Sequence, residues 1–384
     1  MIRFLTAGES HGPGLVTIIE GLPNGLGFTA HGLSSELARR RLGHGRGPRM
    51  RIERDELEIL GGVRFERTLG SPVAVVIRNT EWERWSEQMS PGPGSAARPM
   101  TTPRPGHADL AGMVKYRSYD ARDVLERASA RETAARTVAG YAAKQLLAEV
   151  GVAVVSHVVR IGAIEVAKQV IPGPDDLAAI DASPVRVFDD HEAESSMSAA
   201  IDAAKTDRDT LGGVVEVAAH GVPIGIGSHV HYDRRLDTLL AGALMSIPGI
   251  KAVEVGDGFA SAGRPGSEAH DEIIAEGGEM LRETNRAGGI EGGISNGSVI
   301  RVRAAQKPLS TLMRPLRSVD VTTKEAAEAF RERSDVCSVP AAGVVAEQMV
   351  AIVLAAEMQR VYGGDTVASF VDAHRSHLDR IASY

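Results

Sequence analysis

The chain has 384 residues, 43% hydrophobic and 4% aromatic, with a formal net charge of −7. That hydrophobic content excludes wholesale disorder, and the acidic balance argues against a dedicated nucleic-acid binder. A single cysteine excludes an internal disulfide or a cysteine-cluster metal site and favours a reducing compartment.

Residues 1–32 are Gly-rich and read as strand and loop. Ser34 or Ser35 is expected to cap a short helix through Arg41, stopped by Gly43 and Gly45. Val73–Arg78 reads as a buried strand. The five prolines and three glycines of 89–106 predict a long loop of the kind that is either functional or disordered. Apolar spacing predicts one helix over Arg122–Val150 and a strand over Gly151–Glu165. A helix at Ser196–Lys205 and a strand at Gly213–Ala219 follow. Arg235–Ser246 reads as a helix ended by Pro248 and Gly249. Lys251–Val255 and Ser298–Ala304 read as strands. Ala326–Arg331, Pro340–Arg360 and Thr366–Ile381 read as helices. Strands and helices interleave without a linker, so one α/β domain over residues 1–384 is expected. No apolar run is read as reaching the ~18 residues of a membrane span. Glu9 precedes any apolar leader, so a soluble cytoplasmic protein is expected.

Arginine outnumbers lysine 36 to 7. Residues 1–136 carry a net +4, against −11 for the rest. Codon usage explains part of the arginine total. Its placement points to a local site for an anionic ligand, because the planar guanidinium matches carboxylate and phosphate. Gly8-Glu9-Ser10-His11-Gly12-Pro13-Gly14 is a glycine turn that brings backbone, a serine and a histidine near any ligand. Serine activation by the adjacent histidine is disfavoured, because neighbours in an extended segment face opposite ways. Arg39, Arg40 and Arg41 end a helix, where the dipole favours them. Arg46 and Arg49 lie beyond that turn and need an anion to explain them. Arg104-Pro105-Gly106-His107-Ala108-Asp109 fixes a histidine beside an arginine, suited to proton transfer or simply exposed. Arg127 and Arg131 are four apart, hence on one helix face. Either an anion lies between them or Asp123 and Glu126 pair with them. Glu291-Gly292-Gly293 and Lys307-Pro308-Leu309-Ser310-Thr311 read as backbone cradles, and neither fits the common nucleotide phosphate loop. His229 and His231 would share a strand face, a metal pair only if a third ligand joined them, and no metal is expected. Cys337 reads as a buried or idle thiol. These residues point to an anionic, phosphate-bearing ligand and acid–base chemistry.

Taken in order, these motifs, with Ala130-Arg131-Glu132-Thr133, Gly256-Asp257-Gly258-Phe259, Gly292 to Gly297 and Arg333-Ser334-Asp335, resemble the chorismate synthase family over about residues 1–360. The resemblance implies a β-α-β sandwich, usually a homotetramer. It implies a lyase that converts 5-enolpyruvylshikimate 3-phosphate to chorismate and phosphate by 1,4-anti elimination. This is the last shared step of the shikimate pathway towards aromatic amino acids. Reduced FMN is required although no net redox change occurs. By position, His11 protonates the leaving phosphate, and His107 supplies a proton to the reduced flavin. Asp335 works with flavin N5 on the substrate proton. Ser10, Arg40, Arg46, Arg49, Arg104, Arg131 and Arg333 hold the substrate, with Arg40 and Arg46 also candidates for NADPH. Flavin contacts fall to Arg127, Ala128, Ser129, Pro248, Gly249, Gly292, Lys307, Pro308, Leu309, Ser310, Thr311 and Arg333. Ala128 stands where the family usually has serine, a loss of about 1 kcal/mol if one neutral hydrogen bond goes. An external flavin reductase or an intrinsic NADPH activity would supply electrons. The competing readings are another flavin-dependent or phosphate-releasing enzyme on the same fold, and a non-catalytic anion or nucleic-acid binder.

Overall fold

Two antiparallel sheets enclose a layer of helices in the computed structural model, which describes residues 1–47, 55–332 and 334–384, with the side chain of Glu279 set aside. The first sheet runs in the order Arg3–Gly8, Gly14–Glu20, Val73–Arg78, Glu56–Gly61. Its inward side chains alternate, as a half-buried strand requires: Leu15, Thr17 and Ile19 on one strand, Val73, Val75 and Ile77 on the next. The second sheet runs Ile250–Val255, Ile300–Gln306, Gly213–His220, Ala153–Ile161, Ile164–Glu165. Between them, the helix Thr133–Ala148 packs on the first sheet and on the long helix Val339–Tyr362, which lies against the second. This is the expected sandwich. One apolar core runs through the layer from Ile2 to Phe370.

The long helix buries 19 of its 24 residues. It is long and apolar enough to cross a membrane, contrary to the sequence reading, but 89% of its apolar window is buried inside the protein. A helix apolar all round belongs in a core of this kind. Its fully buried acid, Glu347, lies 2.6 Å from both Arg39 and Lys144. Burial pushes its carboxyl pKa up, but these cations outweigh that and hold it well below the ordinary range.

Five local expectations are corrected. The first helix spans Ala30–Arg40 and is capped by Thr29, whose Oγ1 accepts from Gly32 N; Ser35 instead bonds back to His31 O. The helix read over Arg122–Val150 is broken. Arg122–Ala128 ends at Ser129, which is extended (φ −65°, ψ 141°) and accepts from Arg131 N before the chain turns into Thr133–Ala148. Ala326–Glu328 is a strand, because it pairs with Arg317–Val319. His229 and His231 lie in bends outside any strand, and His231 pairs with Asp233. The helix read from Ser196 starts earlier, at His191, capped by Asp190. The loop over 89–106 holds no helix or strand, as expected.

Candidate active site

The ends of several elements converge on one cavity of about 870 Å³. That is near the upper end of the ~300–1,000 Å³ usual for ligand pockets. The glycine turn after the first strand supplies Ser10 and His11. The Ala30–Arg40 helix supplies Arg40, and the loop beyond it Arg46. Close approach explains the turn's glycines: Gly8 has φ +101°, and a Cβ there would lie 2.2 Å from Gly14 O. Ser10 and His11 both line the cavity, because they sit in a turn and not in an extended strand. The expectation that they face opposite ways is corrected.

The far wall holds Arg104 and His107. Beyond them come Pro248, Gly249, Lys307, Pro308, Leu309, Ser310 and Thr311. The break at Ser129 adds Ala128, Ser129 and Arg131, and Asp335 closes the ring. Arg127 and Gly292 do not line the cavity. Arg127 turns to Gly8 O and to Thr6, tying down the first strand. The broken helix also separates Arg127 from Arg131, so they share no helix face. Arg49 and Arg333 lie outside the described residues.

The buried guanidiniums come with carboxylates. Arg131 is 2.6 Å from Asp55, Arg46 is 2.7 Å from Asp335, and Arg104 is 2.8 Å from Asp109. Such pairing offsets the several kcal/mol that burying each ion costs. Arg40 reaches Thr133 Oγ1 at 3.4 Å. Asp335 also accepts from Gly47 N at 2.6 Å. Burial pushes the Asp109 pKa up, but hydrogen bonds from His107 and Arg104 outweigh this and hold it at about 2. Asp109 is therefore ionised, and His107 Nδ1 is its hydrogen-bond partner. The ring's other nitrogen, Nε2, is then the one available for proton exchange.

Lys307 presses its amine against Gly106 O and Ser310 Oγ. Among the described residues, neither it nor the nearby Lys251 makes an ion pair. Burial and then the Lys251 charge lower the Lys307 pKa. A bound phosphate would relieve that strain, so this wall fits an anionic cofactor. Gly106 (φ +76°) keeps it open, since a Cβ there would come within 3.2 Å of Lys307 Nζ.

Sequence reasoning missed several residues here. Trp85 and Arg122 line the cavity, and Glu126 stands behind His11. Asn79 latches the glycine turn, donating to Gly12 O and accepting from Arg131. The Arg122–Glu126 pair is local, but the contacts that bring these residues to His11, Arg131 and the glycine turn cross long chain separations. Asp109 was visible inside its motif but had no assigned role.

A family model described as chorismate synthase matches residues 2–359. A chorismate synthase of Leifsonia xyli subsp. xyli is 55% identical, over 100% of this chain and 97% of its own. One of Frankia casuarinae is 59% identical over 96% of each chain. A solved structure titled as the crystal structure of chorismate synthase superposes with a TM-score of 0.80 at 39% identity. It covers 100% of this chain and 99% of its own.

Proposed function

This chain belongs to the chorismate synthase family, and from that premise we propose how the cavity does its work. The protein is a carbon–oxygen lyase acting on phosphates. It converts 5-enolpyruvylshikimate 3-phosphate to chorismate and phosphate by the FMN-dependent 1,4-anti elimination of the shikimate pathway. The observation that carries the residue-level reading is the convergence of Arg40, Arg46, Arg104, Arg131, His11, His107 and Asp335 on one cavity.

The substrate bears two carboxylates and a phosphate, about four negative charges. Arg40, Arg46, Arg104 and Arg131 hold these groups, with Ser10, and their fixed positive charge stabilises the departing phosphate. Arg49 and Arg333 join them by position. His11 gives the leaving oxygen a proton. His107 holds a proton at Nε2, its Nδ1 being engaged by Asp109. Asp335, paired with Arg46, would work with the flavin's N5 in removing the substrate proton. Ala128, Ser129, Pro248, Gly249 and the stretch Lys307 to Thr311 would hold FMN, with the Lys307 wall suited to its phosphate. When bound, reduced FMN supplies transient electron density that eases C–O cleavage without net redox change.

Arg40 and Arg46 also stand as NADPH contacts, with NADPH or an external flavin reductase as the electron source. The chain acts in the cytoplasm as a single domain. In support, its one cysteine is buried, its thiol pushed up to about 11 by burial, and one apolar core joins Ile2 to Phe370. Steady-state kinetics on two variants test the assignments. Arg46→Ala should raise the KM for substrate with the fold intact, and an unchanged KM would remove Arg46 from the substrate site. His107→Ala should slow turnover by ~10²-fold or more, and a near-wild-type rate would end its role as proton donor.

A further inference from the structure

We propose that Glu126 is a positioning residue for His11, and that Glu332 joins this support to that of His107 in one chain of alternating charges along the cavity wall. The proposal rests on the reading that both histidines handle protons.

Glu126 is 3% exposed and acts only through His11 and its neighbours. Its carboxylate accepts from His11 N at 2.8 Å and lies 3.0 and 3.1 Å from His11 Nδ1. Arg122 Nη1 completes it at 2.5 Å. Burial pushes the Glu126 pKa up, but the His11 hydrogen bond and the Arg122 charge outweigh it, so the group is ionised. An ionised carboxylate can only accept, so Nδ1 must carry the hydrogen. That fixes the tautomer. Trp85 limits the ring's remaining freedom, packing against His11 with centroids 4.1 Å apart and planes tilted by 36°, while Arg122 lies 4.8 Å from the same indole. His11 is thus gripped at its edge by Glu126 and on its face by Trp85.

The opposite wall repeats the plan. His107 Nδ1 meets Asp109, which Arg104 holds through Nε at 2.8 Å, Nη2 at 3.2 Å and its backbone N at 3.1 Å. Each histidine therefore has a carboxylate behind it and an arginine behind that. Glu332 lies 3.6 Å from Arg104 and 3.4 Å from Arg122. It is the acid between two like charges, and its side chain is only 22% exposed. The order along the wall is His107, Asp109, Arg104, Glu332, Arg122, Glu126, His11. Neighbours of opposite sign hold one another, so a change at Glu332 should reach both rings.

Nitrogen-15 spectra of the histidine rings test this without substrate, so they stand apart from any failure of the lyase reading. In the native protein the neutral His11 ring should be the Nδ1–H tautomer. The Nε2–H tautomer there would overturn the proposal, whether or not any variant folds. Glu126→Gln offers one acceptor oxygen where the carboxylate offered two. It should give a mixture of tautomers and a kcat reduced ~10-fold or more, with KM within ~2-fold. A single retained Nδ1–H form, or a wild-type kcat, would overturn the positioning role. Glu332→Gln should shift the ring signals of His11 and His107 together. Spectra in which either ring is unmoved would overturn the bridge.

Discussion

At the scale of single residues, the site works by pairing. Asp109 shows how far that goes. It is fully buried, yet its carboxyl is held at about 2 by His107 and Arg104. Its folded pKa is depressed below the ordinary 3.8, so its stabilisation is complete above about pH 4 and is lost as pH falls towards 2. Over that window Asp109 contributes about 2 kcal/mol. Asp109→Asn should remove this pH dependence and lower stability by a similar amount near neutrality. Urea unfolding at pH 3 and pH 7 measures both. An unchanged difference between the two pH values would contradict the pairing. The arginines and histidines of the site were legible in the sequence because they sit on Gly- and Pro-rich loops whose residue types have few other uses. Among their carboxylate partners, Asp109 and Asp335 sit in those same motifs, but two others stand outside them. Glu126 on a helix and Glu332 near a strand end look like any solvated acid until the fold brings them to His11 and Arg104.

At the scale of elements, apolar periodicity found the strands and the long helices, because burial on one face leaves a regular trace. It failed where a tertiary contact overrides local preference. Ala326–Glu328 has helix-forming residues but is a strand, held by Ser318 opposite Ala327. The break at Ser129 is invisible to periodicity, since alanines flank it, yet it turns Arg127 and Arg131 in different directions. One tight contact between the two central helices rests on a single glycine. A Cβ on Gly140 would lie 2.3 Å from the Cβ of Gln348 in the long helix. Gly140→Ala should therefore destabilise the protein by about 1–3 kcal/mol, despite the better helix propensity of alanine. Equal or higher stability in denaturant would show that the two helices can separate at no cost.

At the scale of the whole molecule, the first sheet carries apolar side chains on its outer face as well as on its inner one, bordered there by the Arg3–Glu20 and Arg78–Glu58 pairs. Leu5 and Ile18, 69% and 42% exposed, stand opposite each other in register on its outer side. Val16 and Val76 are paired on the same face. An uncovered antiparallel sheet normally turns polar residues outward, so we propose that a second copy of the chain covers this surface. Ile18→Glu should lower the mass measured by light scattering, and an unchanged mass would place the interface elsewhere. The same scale bears on the charge asymmetry: an acidic molecule gathers the buried Arg40, Arg104, Arg122 and Arg131 around one cavity, while the buried Arg186 and Arg301 lie elsewhere. The central claim is that this cavity performs the phosphate elimination. The most direct measurement is an anaerobic assay of the purified chain with 5-enolpyruvylshikimate 3-phosphate and dithionite-reduced FMN, following chorismate and phosphate together. Equal release of both, absent with oxidised FMN, is the predicted result. Folded protein that binds FMN yet releases neither product would contradict the account.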